Sequence, residues 1–581
     1  MSRLFSSLAT IWRLAWPYFY SNDRWPGRIL FGAVITIELA TVAINVMLNQ
    51  WNNRFYNALQ ERDWNAFVTE LLFFCGLAAA YIVLAVYQLY LNQWLQIRWR
   101  RWMTRQYLDH WLAAANHYRM QLLGDAADNP DQRIAEDIRQ FIDLTLTLTV
   151  GLLSAFVTLC SFVAILWTLS ATAPLALFGK TFVIPGYLVW AALFYAVVGT
   201  LLTHFVGWPL VSLNFRQQRF EADFRFNLVR VRENSEQIAL LTGETAERER
   251  LLDRFGRIVA NWMLIMTRTK RLTFLTAGYS QVSVVFPFVV ISPAYFAGAV
   301  QLGGLMQTAS AFNSVQTALS FFITAYRQLA EWRAVIARLD GFNVAVEKAQ
   351  LTAKAQPVIK VLTQAENAPL AIEDLMVRLP QGKPVVTAHN ISVAKGESVL
   401  VTGPSGSGKS TLFRALAGIW PFGAGTIRVP SGAKVMMLPQ RPYFPIDTLG
   451  AAVTYPAEPG TFPPEQLAEV ISAVGLPELV ERLDEEAHWN RMLSLGEQQR
   501  LGIARAILLA PDYLFLDEAT ASLDEPAEAA LYRLLAQRLA GATIVSIGHR
   551  STLTAFHHRG LVLVREGDHH SIHAAALAAA E

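Results

Sequence analysis

Up to about residue 340 the chain alternates long apolar runs with short polar segments that carry most of its arginines. A bilayer core about 30 Å thick is crossed by about 20 mostly apolar residues in helical conformation. Runs of that kind are 29–48, 68–94, 142–169, 185–213, 272–296 and 309–326, and they predict six membrane-spanning helices. The sixth is the most dilute, because Ser310, Asn313, Gln316 and Thr317 interrupt it. A polar helix in a bundle is expected to face other helices or a water-filled path. From about Leu370 the texture changes to that of a soluble α/β domain. Short β-rich runs (398–402, 513–516 and 543–547) alternate with helical stretches. The pattern divides the chain into an interfacial N-terminal helix over 1–28, a transmembrane domain over 29–343, a linker over 344–369 and an α/β domain over 370–581. The first 20 residues are amphipathic, interrupted by Pro17, and show no small-residue cleavage site after an apolar core, so they read as a helix lying on the membrane. The linker is polar, Ala-rich and without periodicity.

Composition agrees with that division. Of 581 residues 53% are hydrophobic and only 16% charged, against roughly 25% charged in an ordinary soluble protein. The net charge of +3 makes no case for nucleic acid as a partner. Cys75 and Cys160 both fall in apolar runs, which argues against a structural disulfide and excludes a cysteine metal cluster. Arginine placement orients the bundle. Arg13, Arg24 and Arg28 precede the first span, and Arg98, Arg100, Arg101 and Arg105 follow the second. Arg216, Arg219 and Arg225 follow the fourth, Arg268, Lys270 and Arg271 precede the fifth, and Arg327 and Arg333 follow the sixth. The opposite loops hold only Arg54, Arg62 and Lys180, so both termini are expected on the cytoplasmic side. The charge-rich stretch 215–252 is expected to extend the fourth helix into the cytoplasm and return as the fifth.

Glu38 lies in the middle of the first span, where an ionised acid costs about 2.5–3.5 kcal/mol on insertion scales. It must meet a partner or water. One reading makes it a structural hydrogen-bond acceptor; the other lines a polar pathway with it, together with Asn45 and Asn49 on nearly the same helix face. His569, His570 and His573 crowd together near the C-terminus, and read as a solvated tail.

The α/β domain carries recognisable chemistry. Gly403, Pro404, Ser405, Gly406, Ser407, Gly408, Lys409 and Ser410 follow the apolar run 398–402 and fit G-x-x-x-x-G-K-[ST], and Thr411 after them is a further candidate for the nucleotide. Glycines let backbone N–H groups turn inward around phosphate oxygens, and the helix beginning near Lys409 points its positive end at them. Lys409 adds a mobile charge for the β/γ-phosphates of ATP, and the Ser410 hydroxyl suits Mg2+. A second strand, 513–516, ends in Asp517 and Glu518. Acids at a strand's carboxyl end sit where open α/β sheets bind ligands. Asp517 fits the holding of Mg2+ and Glu518 the polarising of an attacking water.

Between these two sites residues 493–500 read LSLGEQQR, which resembles the signature sequence of ABC transporter ATPases. The rest of that family's set follows in order: Gln440 matches the Q-loop, which also serves the metal, Ser522, Leu523 and Asp524 match the D-loop, and His549 matches the switch histidine. The resemblance implies an ABC exporter-like fold, a membrane α-helical bundle with six spans fused to an α/β P-loop ATPase domain. It also implies that Ser494 and the amides after it, with Gly496 and Glu497, contact nucleotide held by another subunit. The active unit would then be a pair, most simply a homodimer. Two departures stand out. The usual LSGGQ has Leu495 and Glu497 at its third and fifth positions, and Leu379 stands where an adenine-stacking tyrosine is expected.

In the membrane half 129–138 (NPDQRIAEDI), 221–232, 232–239 and 293–307 resemble motifs shared by SbmA/BacA-type bacterial peptide transporters and the ABCD subfamily of acyl-CoA transporters. LSLGEQQR and 51–58 (WNNRFYNA) are similar to the bacterial set in its ATPase-fused form. The resemblance implies an ATP-driven half-transporter of a bacterial inner (plasma) membrane, multi-pass in the lipid bilayer with a cytoplasmic ATPase domain. Its implied cargo is a peptide or another bulky hydrophilic solute such as a cobalamin-like compound, taken inward. Fatty acids or acyl-CoA, or drugs moved outward, form the alternative. An ATP-gated channel is disfavoured, because Glu518 and His549 are intact.

Overall fold

The computed structural model describes residues 10–124, 129–172, 175–177, 180–182, 184–353 and 357–575. Residues 1–9 of the expected interfacial helix and the alanine run past Ala575 lie outside the described residues, as do the side chains of Lys180, Tyr326 and Arg327. The chain divides into two compact units, one of residues 1–107 and 131–340 and the other of 108–130 and 341–581.

In the first unit long helices dominate: α1 (Arg24–Glu61), α2 (Trp64–Leu112), α4 (Ile138–Thr172), α5 (Tyr187–Glu233), α7 (Glu244–Phe296) and α8 (Leu302–Thr352). Among the described residues five helical stretches, all but α8, are long and apolar enough to cross a membrane by length and composition. On α8 the buried face carries Ala311, Phe312, Val315 and Ala318, while Asn313 and Thr317 are exposed one turn apart. Its low apolarity thus comes from a two-faced helix packed against its neighbours. The charge-rich stretch takes the helical course expected of it. α5 runs past the apolar part to Glu233, a short α6 (Ser235–Leu240) turns the chain, and α7 returns from Glu244. Buried Asn261 on α7 fastens the pair, donating to the Leu213 carbonyl at 3.0 Å and to Gln217 at 2.9 Å.

Ahead of α1 the chain is a 3-10 turn at Trp16–Tyr20 with Pro17 in its first turn, which separates the N-terminal segment from the first span. Tyr18 is fully buried and lies parallel to Trp99 with ring centroids 5.4 Å apart. Its hydroxyl meets Asp23 at 3.2 Å, and Asp23 in turn pairs with Arg98. Trp12, Trp16, Tyr20 and Trp25 are exposed, the side chains that favour headgroup depth. In the motif 129–138, Asp137 is buried between Arg133 and Arg338 of α8, so its charge is paired twice inside the unit.

The second unit is built on one twisted sheet of eleven strands. These are β1 (Lys360–Gln364), β2 (Leu370–Arg378), β3 (Pro384–Ala388), β4 (Ile391–Val393), β5 (Ser398–Thr402), β6 (Gly423–Pro430), β7 (Val435–Leu438), β8 (Tyr513–Asp517), β9 (Thr543–Ile547), β10 (Arg559–Glu566) and β11 (His569–Ala575). The order is β1-β6-β2-β3-β11-β10-β5-β9-β8-β7, with β4 pairing β2. β10, β5, β9, β8 and β7 run parallel at one end of the sheet, with β7 at its edge, and the inner three, β5, β9 and β8, are mostly apolar and buried. Both their faces are covered, as parallel strands require. One core holds Phe413, Phe515 and Val399; the other holds Leu514, Leu501 and Trp489.

Two features differ from the expected division. The stretch 344–369 is ordered at both ends, since α8 continues to Thr352 and β1 pairs in parallel with β6. β1 is an edge strand with side chains exposed on both faces, so no alternation marks it in the sequence, and alanine-rich sequence favours continued helix. The other is that residues 108–130, preceding the third apolar run, belong with the α/β domain. There the short α3 (Asn116–Leu122) sets Leu122 against the core of Phe413 and Leu416. Burial pushes the Tyr118 hydroxyl above the usual tyrosine range, with Arg414 nearby opposing it.

Candidate active site

The site forms where β5, β9, β8 and β7 end side by side, its polar groups lying at or just past the ends of these strands. After β5 the chain turns through 403–408 into helix α9 (Lys409–Leu416). Gly406 and Gly408 hold φ of +77° and +93°, the left-handed region that glycine enters without steric cost. At Gly408 a Cβ would also come within 2.5 Å of Val385 in β3. Lys409 is buried, and its ammonium donates to the carbonyls of Gly403 at 3.0 Å and Pro404 at 2.9 Å. Burial lowers its pKa from the ordinary lysine value, while Glu518 and Asp517 pull the other way. Ser407 is also buried, and its hydroxyl has no hydrogen bond among the described residues. A buried free hydroxyl in a glycine loop beside a lysine fits a phosphate-bearing ligand.

Across the sheet, Ser410 donates its hydroxyl to Asp517 at 2.9 Å. Burial pushes the Asp517 carboxyl above the usual carboxylate range, and the Ser410 hydrogen bond opposes the shift. A hydroxyl and a buried carboxylate in contact form an oxygen donor set suited to Mg2+, whose charge would favour the ionised form of Asp517. Glu518 follows with φ of +50°, strained for a non-glycine residue. Two side chains meet its carboxylate: Gln440 Nε2 at 3.3 Å from the segment after β7, and His549 Nε2 at 3.2 Å from the segment after β9. The residues expected in this chemistry (Lys409, Ser410, Gln440, Asp517, Glu518 and His549) therefore converge at one end of the sheet. Pro404, Ser405 and Gly406 form the exposed lip of the loop, and Thr411 follows in α9. Leu379, just after β2, is half-buried against the core and closes a turn by donating its N–H to Lys383 at 2.8 Å.

The signature segment stands apart. Ser494 is the N-cap of α10 (Leu495–Leu509), and Glu497 completes a capping box. The Ser494 N–H donates to Glu497 Oε2 at 2.7 Å, and the Glu497 N–H donates to Ser494 Oγ at 3.3 Å. The departure at Glu497 thus has a local physical reason, because a carboxylate in that position satisfies backbone donors at the helix start. Gly496 lies where a Cβ would come within 3.3 Å of Leu523. Asp524 caps α11 (Glu525–Arg538), accepting from the Ala527 N–H at 3.0 Å. No hydrogen bond joins Ser494 or Glu497 to the phosphate loop among the described residues. In the membrane unit Glu38 accepts a hydrogen bond from Gln88 of α2, so the partner its position demanded is a neutral amide.

Gln499 is a site residue that motif matching passes over. It is 1% exposed. Its Nε2 donates to the Gln440 carbonyl at 3.0 Å and lies 3.5 Å from the Glu518 carbonyl, and its Oε1 accepts from the Ser522 N–H at 3.0 Å. One amide thereby ties the segments of Gln440, Glu518 and Ser522 together. The sequence signal is a glutamine on the core face of α10, four and seven positions before buried Ile503 and Ala506.

Comparison with known proteins agrees with this geometry. A family profile described as ABC transporter transmembrane region 2 matches residues 14–296, and one described as ABC transporter matches 386–521. The chain is 36% identical to an ABC transporter ATP-binding protein of Haemophilus influenzae, over 96% of this chain and 92% of that one. It is 35% identical to the inner membrane ABC transporter ATP-binding protein YddA of Escherichia coli, over 92% and 93%. More distantly, it is 26% identical to the human lysosomal cobalamin transporter ABCD4, over 91% and 90%. Among solved structures a bacterial Atm1-family ABC exporter with ATP bound has the same fold, with a TM-score of 0.70 at 17% identity over 92% of this chain and 93% of that one.

Proposed function

This chain belongs to the ABC transporters, its membrane region and ATP-hydrolysing domain fused in one polypeptide, and from that premise we propose that it is a half-transporter. Two copies pair to import a peptide or another bulky hydrophilic solute. The observation that carries its ATP-driven part is the convergence of Lys409, Ser410, Asp517, Glu518, Gln440 and His549 at one sheet end.

In this mechanism the 403–411 loop cradles the ATP phosphates, with Lys409 turning from loop carbonyls to phosphate oxygens. Ser410, Asp517 and Gln440 would hold Mg2+, which would supply positive charge to offset that of the phosphates. Glu518 accepts hydrogen bonds from the attacking water and orients it, while His549 and Gln440 fix the carboxylate's orientation. Ser494, Gly496 and Glu497 serve the loop of the second copy, which accounts for a signature segment unconnected to its own phosphate loop.

The arginine distribution supports an ATPase domain and both termini in the cytoplasm, and the name of the Escherichia coli relative, an inner membrane transporter, supports a bacterial inner membrane. A hydrophilic cargo is supported by the name of the human relative, a cobalamin transporter, and by the amides and Glu38 within the helices. The SbmA/BacA-type affinity, and with it the peptide reading, rests on the motifs 51–58 and 493–500. Fatty acyl-CoA import and drug export are the competing cargoes. Uptake of labelled peptide, cyanocobalamin and palmitoyl-CoA into proteoliposomes, with wild type and Glu518→Gln, tests the assignment. ATP-dependent uptake of peptide or cobalamin, absent in the variant, supports it; uptake of palmitoyl-CoA alone overturns the cargo.

A further inference from the structure

The run 51–58 and the segment 293–307 take no part in the ATPase chemistry, yet they meet. Asn49, Asn53, Asn57 and Gln60 recur at helical spacing along one face of α1, and each engages the start of α8. Asn49 Nδ2 donates to the Gln307 carbonyl at 2.9 Å and Asn53 Nδ2 to Gln307 Oε1 at 2.7 Å. Asn57 Oδ1 accepts from the Gly303 N–H at 2.8 Å and Gln60 Oε1 from the Leu302 N–H at 2.7 Å. The approach is so close that a Cβ on Gly303 would lie 1.9 Å from the Asn53 carbonyl oxygen.

Beside this ladder lies a cavity of about 310 Å³. Asn53, Asn57, Gln301 and Thr308 form its polar wall, Leu169 and Ile291 belong to its apolar one, and no lining residue is charged. Its size falls at the lower end of ligand pockets, about 300–1,000 Å³. An asparagine amide nitrogen carries two N–H donors. Asn53 gives one to Gln307 and Asn57 gives one to Asn53 Oδ1, so each keeps one N–H without a partner among the described residues. Both Oδ1 atoms are already acceptors within the ladder. The wall therefore has donors to spare. An ionised headgroup would be buried there with no countercharge, which is costly. An uncharged group with an apolar side fits when its carbonyls meet these N–H groups and its own N–H groups meet Thr308 Oγ1 and Gln301 Oε1, two side chains that otherwise only donate, and the backbone of a short peptide has that chemistry.

We propose that this cavity binds an uncharged stretch of peptide backbone in the transported solute; the proposal rests on the reading that the cargo is peptide-like. The test uses the full-length protein in lipid nanodiscs and tritiated N-acetyl-trialanine amide, with binding followed by equilibrium dialysis. Wild type should bind the probe saturably. Asn57→Leu removes one of the two spare donors, and Ala299→Trp, at the exposed rim of the cavity, narrows the entrance without altering the ladder; each should weaken binding at least tenfold. The second variant keeps the test decisive if the first fails to fold. Equal binding by wild type and Ala299→Trp overturns the cavity while leaving a peptide cargo standing. Absence of probe binding in wild type, whether or not cyanocobalamin or palmitoyl-CoA binds, overturns both.

Discussion

In the ATPase unit β5, β8 and β9 bury their apolar side chains almost completely, and the groups that do chemistry emerge where those strands stop. In the membrane unit the arrangement is turned out. Phe274 and Phe205 are 83% and 72% exposed, while Asn49, Gln217 and Asn261 are buried. With lipid as the solvent, outward apolar surface costs little, and close packing and interhelical hydrogen bonds hold helices together. A buried amide is therefore ordinary cement in the membrane unit, whereas in the ATPase unit a buried polar side chain such as Lys409 or Gln499 signals catalysis or its support. The contrast says where substitution should remove activity and where it should loosen structure.

The sharpest break is expected at Glu518. Glu518→Gln keeps the cradle of 403–411 and the Ser410–Asp517 pair but loses the charge that orients water. Hydrolysis should fall by about 10²–10³-fold or more, the scale of losing one preorganised electrostatic group, while Mg-ATP binding persists. Lys409→Ala should instead weaken nucleotide binding. Phosphate release and equilibrium ATP binding measured on the same preparations separate the two, and undiminished turnover in either variant would sink the assignment.

Gln499 sharpens the comparison from the supporting side. Gln499→Leu leaves the Gln440 carbonyl and the Ser522 N–H without their buried partner, at a cost of about 1–3 kcal/mol. As a positioning residue it should lower kcat by about tenfold with KM for ATP nearly constant, because it touches the segments around Glu518 and not the phosphate loop. Gln499→Glu keeps the acceptor for Ser522 but sets a buried carboxylate against the Gln440 carbonyl, and should lose at least as much as the leucine. A purely structural role would show as a lower melting temperature with kcat per folded molecule unchanged.

How much of this was legible in the sequence follows from the same physics. Phosphate binding and water activation demand particular residue types, so 403–411, Asp517 and Glu518 could be read from the residues, Gln440 and His549 only through the resemblance to a family, and the structure brings all of them together. Five spans were legible because lipid-facing positions are apolar over a whole helix. α8 was legible only as a diluted run, since Asn313 and Thr317 share its exposed face. β1 was hidden because an exposed edge strand has no alternation. The place of residues 108–130 beside the ATPase core depends on Leu122 meeting distant residues such as Leu416, which no local pattern encodes. Glu497 looked like a defect in the signature until its capping box with Ser494 gave it a role.

A smaller effect is expected inside the membrane unit. Glu38 accepts from Gln88, and a glutamine at 38 retains an acceptor for the same bond, so Glu38→Gln changes the charge more than the packing. Transport of a cationic peptide should drop several-fold while the melting temperature stays close to that of the wild type. Both are read on one purified, reconstituted variant. A clear loss of stability with full transport per folded molecule would make Glu38 cement like Asn261, and remove it from the pathway.

The smallest effect belongs to Leu379. It stands in the turn after β2, half-buried against the core that also holds Val385, the neighbour of Gly408 in the phosphate loop. A leucine there offers the adenine ring apolar contact but no aromatic face, and a stacked pair adds about 0.5–1.5 kcal/mol beyond area burial. That corresponds to roughly 2- to 13-fold in affinity, of which an exposed turn should realise the lower part, given a tenfold change per 1.4 kcal/mol. Leu379→Tyr should therefore tighten ATP binding by a few-fold, leave kcat unchanged and raise the preference for ATP over GTP. Wild type should hydrolyse GTP at a measurable fraction of its ATP rate. If GTP fails entirely as a substrate of the wild type, adenine is recognised by another residue, and Leu379 is only a lid on the core beneath the turn.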